Sequence, residues 1–168
     1  SSKPPSELDV YADVDAAWEY LMARKVDARR VVLYSRSVGS GPTLYLAERL
    51  SAAGTPPAGV VLQSPILSVF RIAFDFRYTL PGDLFPNVDR VGGARCPVLV
   101  IHGTHDEVVP FWHGQELFLA TRPEWRFKPF WITGAGHNNI ELLLRDSGAL
   151  FKKLGEFVDF CSARRQAS

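Results

Sequence analysis

Apolar residues recur at helical spacing from Val14 through Ala17, Trp18, Leu21 and Met22, which predicts a first helix from about Val14 to Val26. The period then changes. "ARRVVLYS" is a short β-branched run and predicts a buried strand over 29–35. Helical spacing returns in "GPTLYLAERLSAA" and stops at Gly54, with Pro56 and Pro57 just beyond. "GVVLQS" (59–64) predicts a second strand. "PVLVIHG" (97–103) predicts a third, so uniformly apolar that it reads as a parallel strand covered on both faces. "PFWHGQELFLA" predicts a helix with Pro110 in its first turn, where a missing N–H costs little. "RFKPFWITG" (126–134) predicts a fourth strand, in which Pro129 indicates an edge or a bulge. From Asn138 to about Cys161 the spacing is helical, in two pieces broken near Asp146–Gly148.

Strands alternating with helices predict an α/β fold, a mostly parallel sheet flanked by helices and joined by right-handed crossovers. Residues 65–92 break the alternation. They are long, aromatic and punctuated by Pro81, Gly82 and Pro86, and read as a cap-like insertion over the sheet's carboxyl edge. No internal repeat or low-complexity segment is visible.

The 168 residues suffice for one domain with a sizeable core, and 46% apolar with 22% charged residues argues against disorder. Nineteen basic and 18 acidic side chains leave a net charge of +1, which gives no electrostatic reason to expect nucleic acid as a partner. No apolar stretch is long enough to span a bilayer, and "SSKPPSELDV" lacks the regions of a signal peptide. Cys96 and Cys161 are far apart in sequence and have neither metal-ligand nor disulfide-framework spacing. The expectation is a cytoplasmic protein without metal or cofactor.

In a parallel sheet, functional groups collect at the carboxyl ends of strands. Three such ends carry chemistry: Ser37 in "LYSRSVGSG", Asp106 in "HGTHDEVVP" and His137 in "GAGHNN". Ser, Asp and His in that chain order match the triad order of α/β-hydrolases. A sharp strand–turn–helix elbow needs small neighbours two residues either side of its serine. Ser35 and Gly39 meet that need, although Ser35 stands where G-x-S-x-G has glycine. A serine at the start of a helix would face N–H groups that favour developing negative charge. His137 is then the base for Ser37, and Asp106 fixes its tautomer and stabilises its cation.

Other residues compete for these roles. His102 belongs to the end of the third strand, with a local hydrogen bond expected, and His105 is one residue too early to share the direction of Asp106. His113 falls in a helix and is expected at the surface. Asp75, Asp83 and Asp89 are expected to be solvated or to cap helices. Glu107 replaces Asp106 only if the turn is shifted.

With those motifs in place, the chain resembles the α/β-hydrolase superfamily over nearly its whole length. Within it, the chain is most similar to subfamily 17 of the α/β-hydrolase-domain proteins, membrane-associated enzymes that remove palmitoyl groups from cysteines. The likeness rests on "YADVDAAWEYL", "VVLYSRSVGSGPT", "QSPILSVFRIAF", "LFPNVDRV", "CPVLVIHGTHDEVVPFWHGQELF" and "WITGAGHNNIEL". The resemblance implies Ser37 as nucleophile, Asp106 as acid, His137 as base and the Val38 N–H as one oxyanion donor. It also implies that residues 1–168 are the carboxyl-terminal portion of a single hydrolase domain. The N-terminal strands and the loop bearing the second oxyanion donor would then lie elsewhere. Losing one such donor removes ~3–4 kcal/mol of transition-state stabilisation, so this portion alone is expected to be weakly active. Strand 29–35 is expected to be an exposed edge, to be covered by the missing half or by another chain.

The insertion supplies Phe70, Ile72, Phe74, Phe76, Tyr78 and Leu80, which would share one face if extended, together with Leu84 and Phe85. They either pack the insertion onto the core or form a greasy cap that binds an acyl chain or touches a membrane surface. Phe70, Phe74 and Phe111 are the substrate-binding candidates. Arg71 and Arg77 would meet phosphates or stay solvated. The expected activity is that of a serine hydrolase on acyl esters or thioesters, including protein S-palmitoyl thioesters, peripheral at membranes. The alternatives are a non-catalytic relative that binds a lipid or protein partner, and a serine peptidase of the prolyl-oligopeptidase type.

Overall fold

The computed structural model describes residues 6–73 and 82–166. Its first helix, α1 (Glu7–Ala23), starts earlier than the apolar period indicates, because Ser6 and Asp9 form a capping box. Asp9 N–H donates to Ser6 Oγ at 3.3 Å, and Ser6 N–H donates to Asp9 Oδ2 at 2.8 Å. The helix stops before Lys25, whose φ of +60° is incompatible with continuation, so Val26 lies outside it. Ser6→Ala is expected to lower stability by about 1 kcal/mol, read from the urea midpoint.

Four strands follow: β1 (Val32–Arg36), β2 (Gly59–Gln63), β3 (Val98–Gly103) and β4 (Phe130–Ile132). They form one parallel sheet in the order β1-β2-β3-β4. β1 begins later than expected because residues 28–30 form a 3-10 turn, capped by Asp27 through the Arg29 N–H at 3.0 Å. β4 is shorter than 126–134. Pro129, which has no N–H to give a ladder, precedes it, and Arg126 only bridges to Val98. β1 and β4 are therefore the sheet edges, with Tyr34 on β1 half exposed.

The connecting helices are α2 (Ser40–Ala52), α3 (Val69–Ala73), α4 (Asn87–Arg90), α5 (Phe111–Ala120), α6 (Ile140–Leu143) and α7 (Ala149–Gln166). Alternating strand side chains feed two cores. Val60, Leu62, Val98 and Val100 pack with Leu44 and Ala47 of α2 and Leu117 of α5. Val61, Leu99, Ile101 and Ile132 pack with Ile140, Leu150 and Phe157 from α6 and α7. Every residue of β2 and β3 is buried, as a parallel strand covered on both faces requires. α1 lies against α2, with Trp18 packed among Leu46 and Leu50 and Tyr11 stacked on Tyr45 at 4.0 Å.

The insertion departs from an extended strip. Residues 69–73 are helical, which turns Phe70 and Ile72 away from a common face: Phe70 is half-buried and Ile72 is exposed. Phe74, Asp75, Phe76, Arg77, Tyr78 and Leu80 lie outside the described residues. Neither Arg71 nor Asp83 is solvated. Both are buried, with Arg71 Nη1 3.5 Å from Asp83 Oδ2, and Asp83 Oδ1 accepts the Phe70 N–H at 3.0 Å. The ion pair keeps two buried opposite charges together and ties the start of α3 to the return of the insertion.

Candidate active site

Three loops meet at the carboxyl end of the sheet. The first leaves β1 at Arg36 and turns at Ser37 into a 3-10 turn and then α2. Ser37 has φ +52°, a left-handed conformation that costs a non-glycine residue ~1–3 kcal/mol and so needs support from its surroundings. The support is a buried polar knot. Ser40 Oγ donates to Ser37 O at 2.6 Å while accepting Asn87 Nδ2 at 2.9 Å and the Ile66 N–H at 3.3 Å. Asn87 also donates to Ile66 O at 2.8 Å, so the elbow is fastened to the insertion. A methyl group on Gly39 would lie 3.6 Å from the Ser35 Cβ, an ordinary contact, so a serine at position 35 fits the turn. Val38 follows in the 3-10 turn, where the first N–H groups have no partner within the turn itself.

The second loop follows β3. Asp106 is buried, and its Oδ1 accepts the N–H groups of Val108 at 3.0 Å and Val109 at 2.8 Å. Its Oδ2 faces two imidazoles: His137 Nδ1 at 2.8 Å and His102 Nε2 at 3.3 Å. Burial by itself would raise the carboxyl group's pKa. The hydrogen bonds from His102, Val109, His137 and Val108 outweigh it and hold Asp106 well below the usual carboxylate range.

The third loop follows β4 and carries His137, 7% exposed. Its backbone is held from both sides. The N–H donates to Glu107 Oε2 at 3.1 Å, and the carbonyl accepts Arg36 Nη2 at 2.7 Å. Arg36 Nη2 also reaches Asn138 Oδ1 at 2.7 Å. Arg36 precedes Ser37, so a single side chain ties the elbow to the histidine loop. No hydrogen bond joins the Ser37 hydroxyl to His137 in this structure. With Nδ1 committed to Asp106, Nε2 is the ring nitrogen left for another partner.

The neighbouring histidines are structural. His102 is fully buried on β3, and its Nε2 also contacts Val109 O at 2.9 Å, which is the local hydrogen bond expected of it. His113 is fully buried and not at the surface, because α5 turns that face onto the insertion; Nδ1 accepts the Leu67 N–H at 3.1 Å. Burial pushes its imidazole down to about 4, which keeps it neutral. His105 is exposed. Phe111 meets His102 and Trp131 edge-on, with centroids at 5.8 and 5.2 Å, and so contributes packing beneath the Asp106 loop. Among the described residues, no three His, Cys, Asp or Glu side chains cluster as metal ligands. The sequence did not point to Arg36, Ser40, Asn87 or Glu107 as supports.

Comparison with known proteins shows what the chain is similar to. The chain is 46% identical over 144 residues to alpha/beta hydrolase domain-containing protein 17C of Mus musculus, an alignment covering 84% of this chain and 43% of that protein. It is 42% identical over 161 residues to protein 17B of Xenopus laevis, covering 94% and 52%. The esterase RhEst1 from a Rhodococcus superposes with a TM-score of 0.66 at 18% identity, over 92% of this chain and 72% of that one. The chain has the α/β-hydrolase fold, and its sequence is similar to α/β-hydrolase-domain proteins. A monoacylglycerol lipase of Paleococcus ferrophilus shares the superfamily's fold with this chain, with a TM-score of 0.59 at 15% identity over 92% and 76%. No family model matches the sequence. The chain spans about half the length of the curated relatives it matches.

Proposed function

We propose that the chain carries the catalytic groups of a serine hydrolase acting on acyl esters or thioesters. The observation that carries this reading is the buried Asp106–His137 pair at 2.8 Å, on a loop that Arg36 holds against the strained Ser37 elbow. His137 Nε2 takes the Ser37 proton as the hydroxyl oxygen attacks the acyl carbon. The tetrahedral oxyanion is met by the Val38 N–H and by a second donor from the rest of the protein. Collapse expels the alcohol or thiol, which receives the proton from His137, and leaves an acyl-serine that water hydrolyses by the same steps. A thiolate leaves readily and needs little protonation. The resemblance to subfamily 17 therefore favours palmitoyl thioesters on protein cysteines, with Phe70 at the rim of the acyl site. Among the described residues no helix is long and apolar enough to cross a membrane, and the insertion is the segment proposed to meet a lipid surface.

The test is labelling of the full-length protein by a fluorophosphonate, which reacts only with an activated serine. Labelling of the parent protein and none of Ser37→Ala is the expected result. An unlabelled parent, or equal labelling of both proteins, would overturn the reading in favour of a non-catalytic binding protein.

A further inference from the structure

At the opposite end of the sheet from Ser37 lies a cavity of about 250 Å³. It is built from the segments that enter the four strands: Arg29 before β1, Pro57 before β2, Arg95 before β3 and Trp125 before β4, with Arg164 and Arg165 from the last turn of α7. Four arginines thus converge on one cavity, in a chain whose overall charge is only +1. None of the residues lining it is acidic. Asp27 lies 3.2 Å from Arg29 Nε, and the carboxyl end of α7 adds about half a negative charge.

The floor brings no further negative charge. Cys96 and Cys161 line it, and burial pushes their thiols up to about 12 and about 11, so both stay neutral. With Pro57, Ala58 and Pro97 they form an apolar base beneath the guanidinium groups. Arg164 is already placed: its guanidinium stacks over Trp125 at 4.7 Å. Guanidinium forks pair bidentately with phosphate and carboxylate oxygens alike, and several of them exceed what one carboxylate uses, so the set suits the more highly charged phosphate. The cavity is smaller than the ~300–1,000 Å³ of clefts for drug-sized ligands, so its occupant is small.

We infer that this arginine-lined cavity is a second site, distinct from the Ser37 site, which binds a phosphate monoester or diphosphate carried on a small apolar or aromatic body. The group has two sources, a soluble phosphorylated compound or a phosphoinositide headgroup. The inference does not depend on catalysis by Ser37.

The experiment uses full-length protein. Pyrophosphate binding is followed by calorimetry, and membrane binding by co-sedimentation with phosphatidylcholine vesicles with or without a phosphoinositide. Removing two charged donors, as in Arg95→Gln/Arg165→Gln, is expected to weaken binding by about ten- to a hundredfold. Arg95→Lys/Arg165→Lys, which keeps charge and loses the forks, should fall between. Arg145→Gln, an exposed arginine outside the cavity, should bind as the parent does, and so should Ser37→Ala. Bound pyrophosphate should also slow alkylation of Cys96 and Cys161. Saturation by pyrophosphate alone identifies a soluble ligand, and phosphoinositide-dependent sedimentation identifies the headgroup. Binding of neither probe overturns the inference, as does a glutamine pair that binds like the parent or loses no more than Arg145→Gln does.

Discussion

Asp106→Asn is expected to slow acyl transfer by about 10⁴-fold while leaving the fold intact. The reason lies in how the carboxylate is oriented. Its Oδ1 is fixed by two backbone donors, the N–H groups of Val108 and Val109, and these will hold the amide oxygen of asparagine in the same place. The amide NH₂ must then occupy the Oδ2 position, 2.8 Å from His137 Nδ1. A donor there forces Nδ1 to become an acceptor and moves the ring proton to Nε2, the nitrogen proposed to take the proton of Ser37. The base is lost although nothing has moved. The check is single-turnover acylation of the full-length protein, with an unchanged circular dichroism spectrum. Stability gives an independent reading. Asp106 has its carboxyl held below the unfolded value of about 3.9, so it stabilises the fold above that pH and loses this contribution as the pH falls through its folded value. The stability gap between the parent and Asp106→Asn should therefore narrow as the solution is acidified below about pH 4.

Much of this site is legible in the sequence because strands announce themselves locally. The runs ending at Arg36, Gly103 and Ile132 are β-branched or aromatic, and the residues that follow each run fall where a parallel sheet collects its chemistry. The start of α1 was not legible: the apolar period points to Val14, whereas the capping box of Ser6 and Asp9 begins the helix at Glu7. What the sequence hides is long-range polar pairing. Arg36 and His137 are 101 residues apart, and nothing around either signals the other. Arg71 looks like a surface cation until Asp83 is seen beside it. His113 has a similar history: helical spacing puts it on α5, but which face of that helix is covered depends on the insertion, whose packing has no sequence period. Glu107 enters the sequence reading only as a substitute for Asp106 in a shifted turn; its hold on the His137 N–H, 30 residues away, has no local signal.

The second large effect is expected at Gly103, the last residue of β3. A Cβ there would sit 2.2 Å from Ala135 O and 2.7 Å from the Ala135 carbonyl carbon. Those are backbone atoms, and they cannot swing aside, because Ala135 O accepts the His105 N–H at 2.9 Å and its own N–H donates to Ile132 O. Gly103→Ala must therefore push the 133–137 loop away from the Asp106 loop. The loss is expected at about 3 kcal/mol or more, at the upper end for overpacking. Fluorophosphonate labelling should fall with it even in the fraction that stays folded, since the displaced loop carries His137. Gly136→Ala is the informative control. Its Cβ would meet Glu107 Oε2 at 2.4 Å, the far end of a flexible side chain, so the carboxylate can rotate off with little effect on stability. It would lose its hydrogen bond to the His137 N–H, and with it one of the two restraints on that backbone. If the two loops act as one rigid frame, Gly103→Ala lowers both the urea midpoint and the labelling rate, whereas Gly136→Ala lowers only the rate. Equal midpoints for Gly103→Ala and the parent would mean that the approach of Ala135 to β3 is not a fixed feature of the fold.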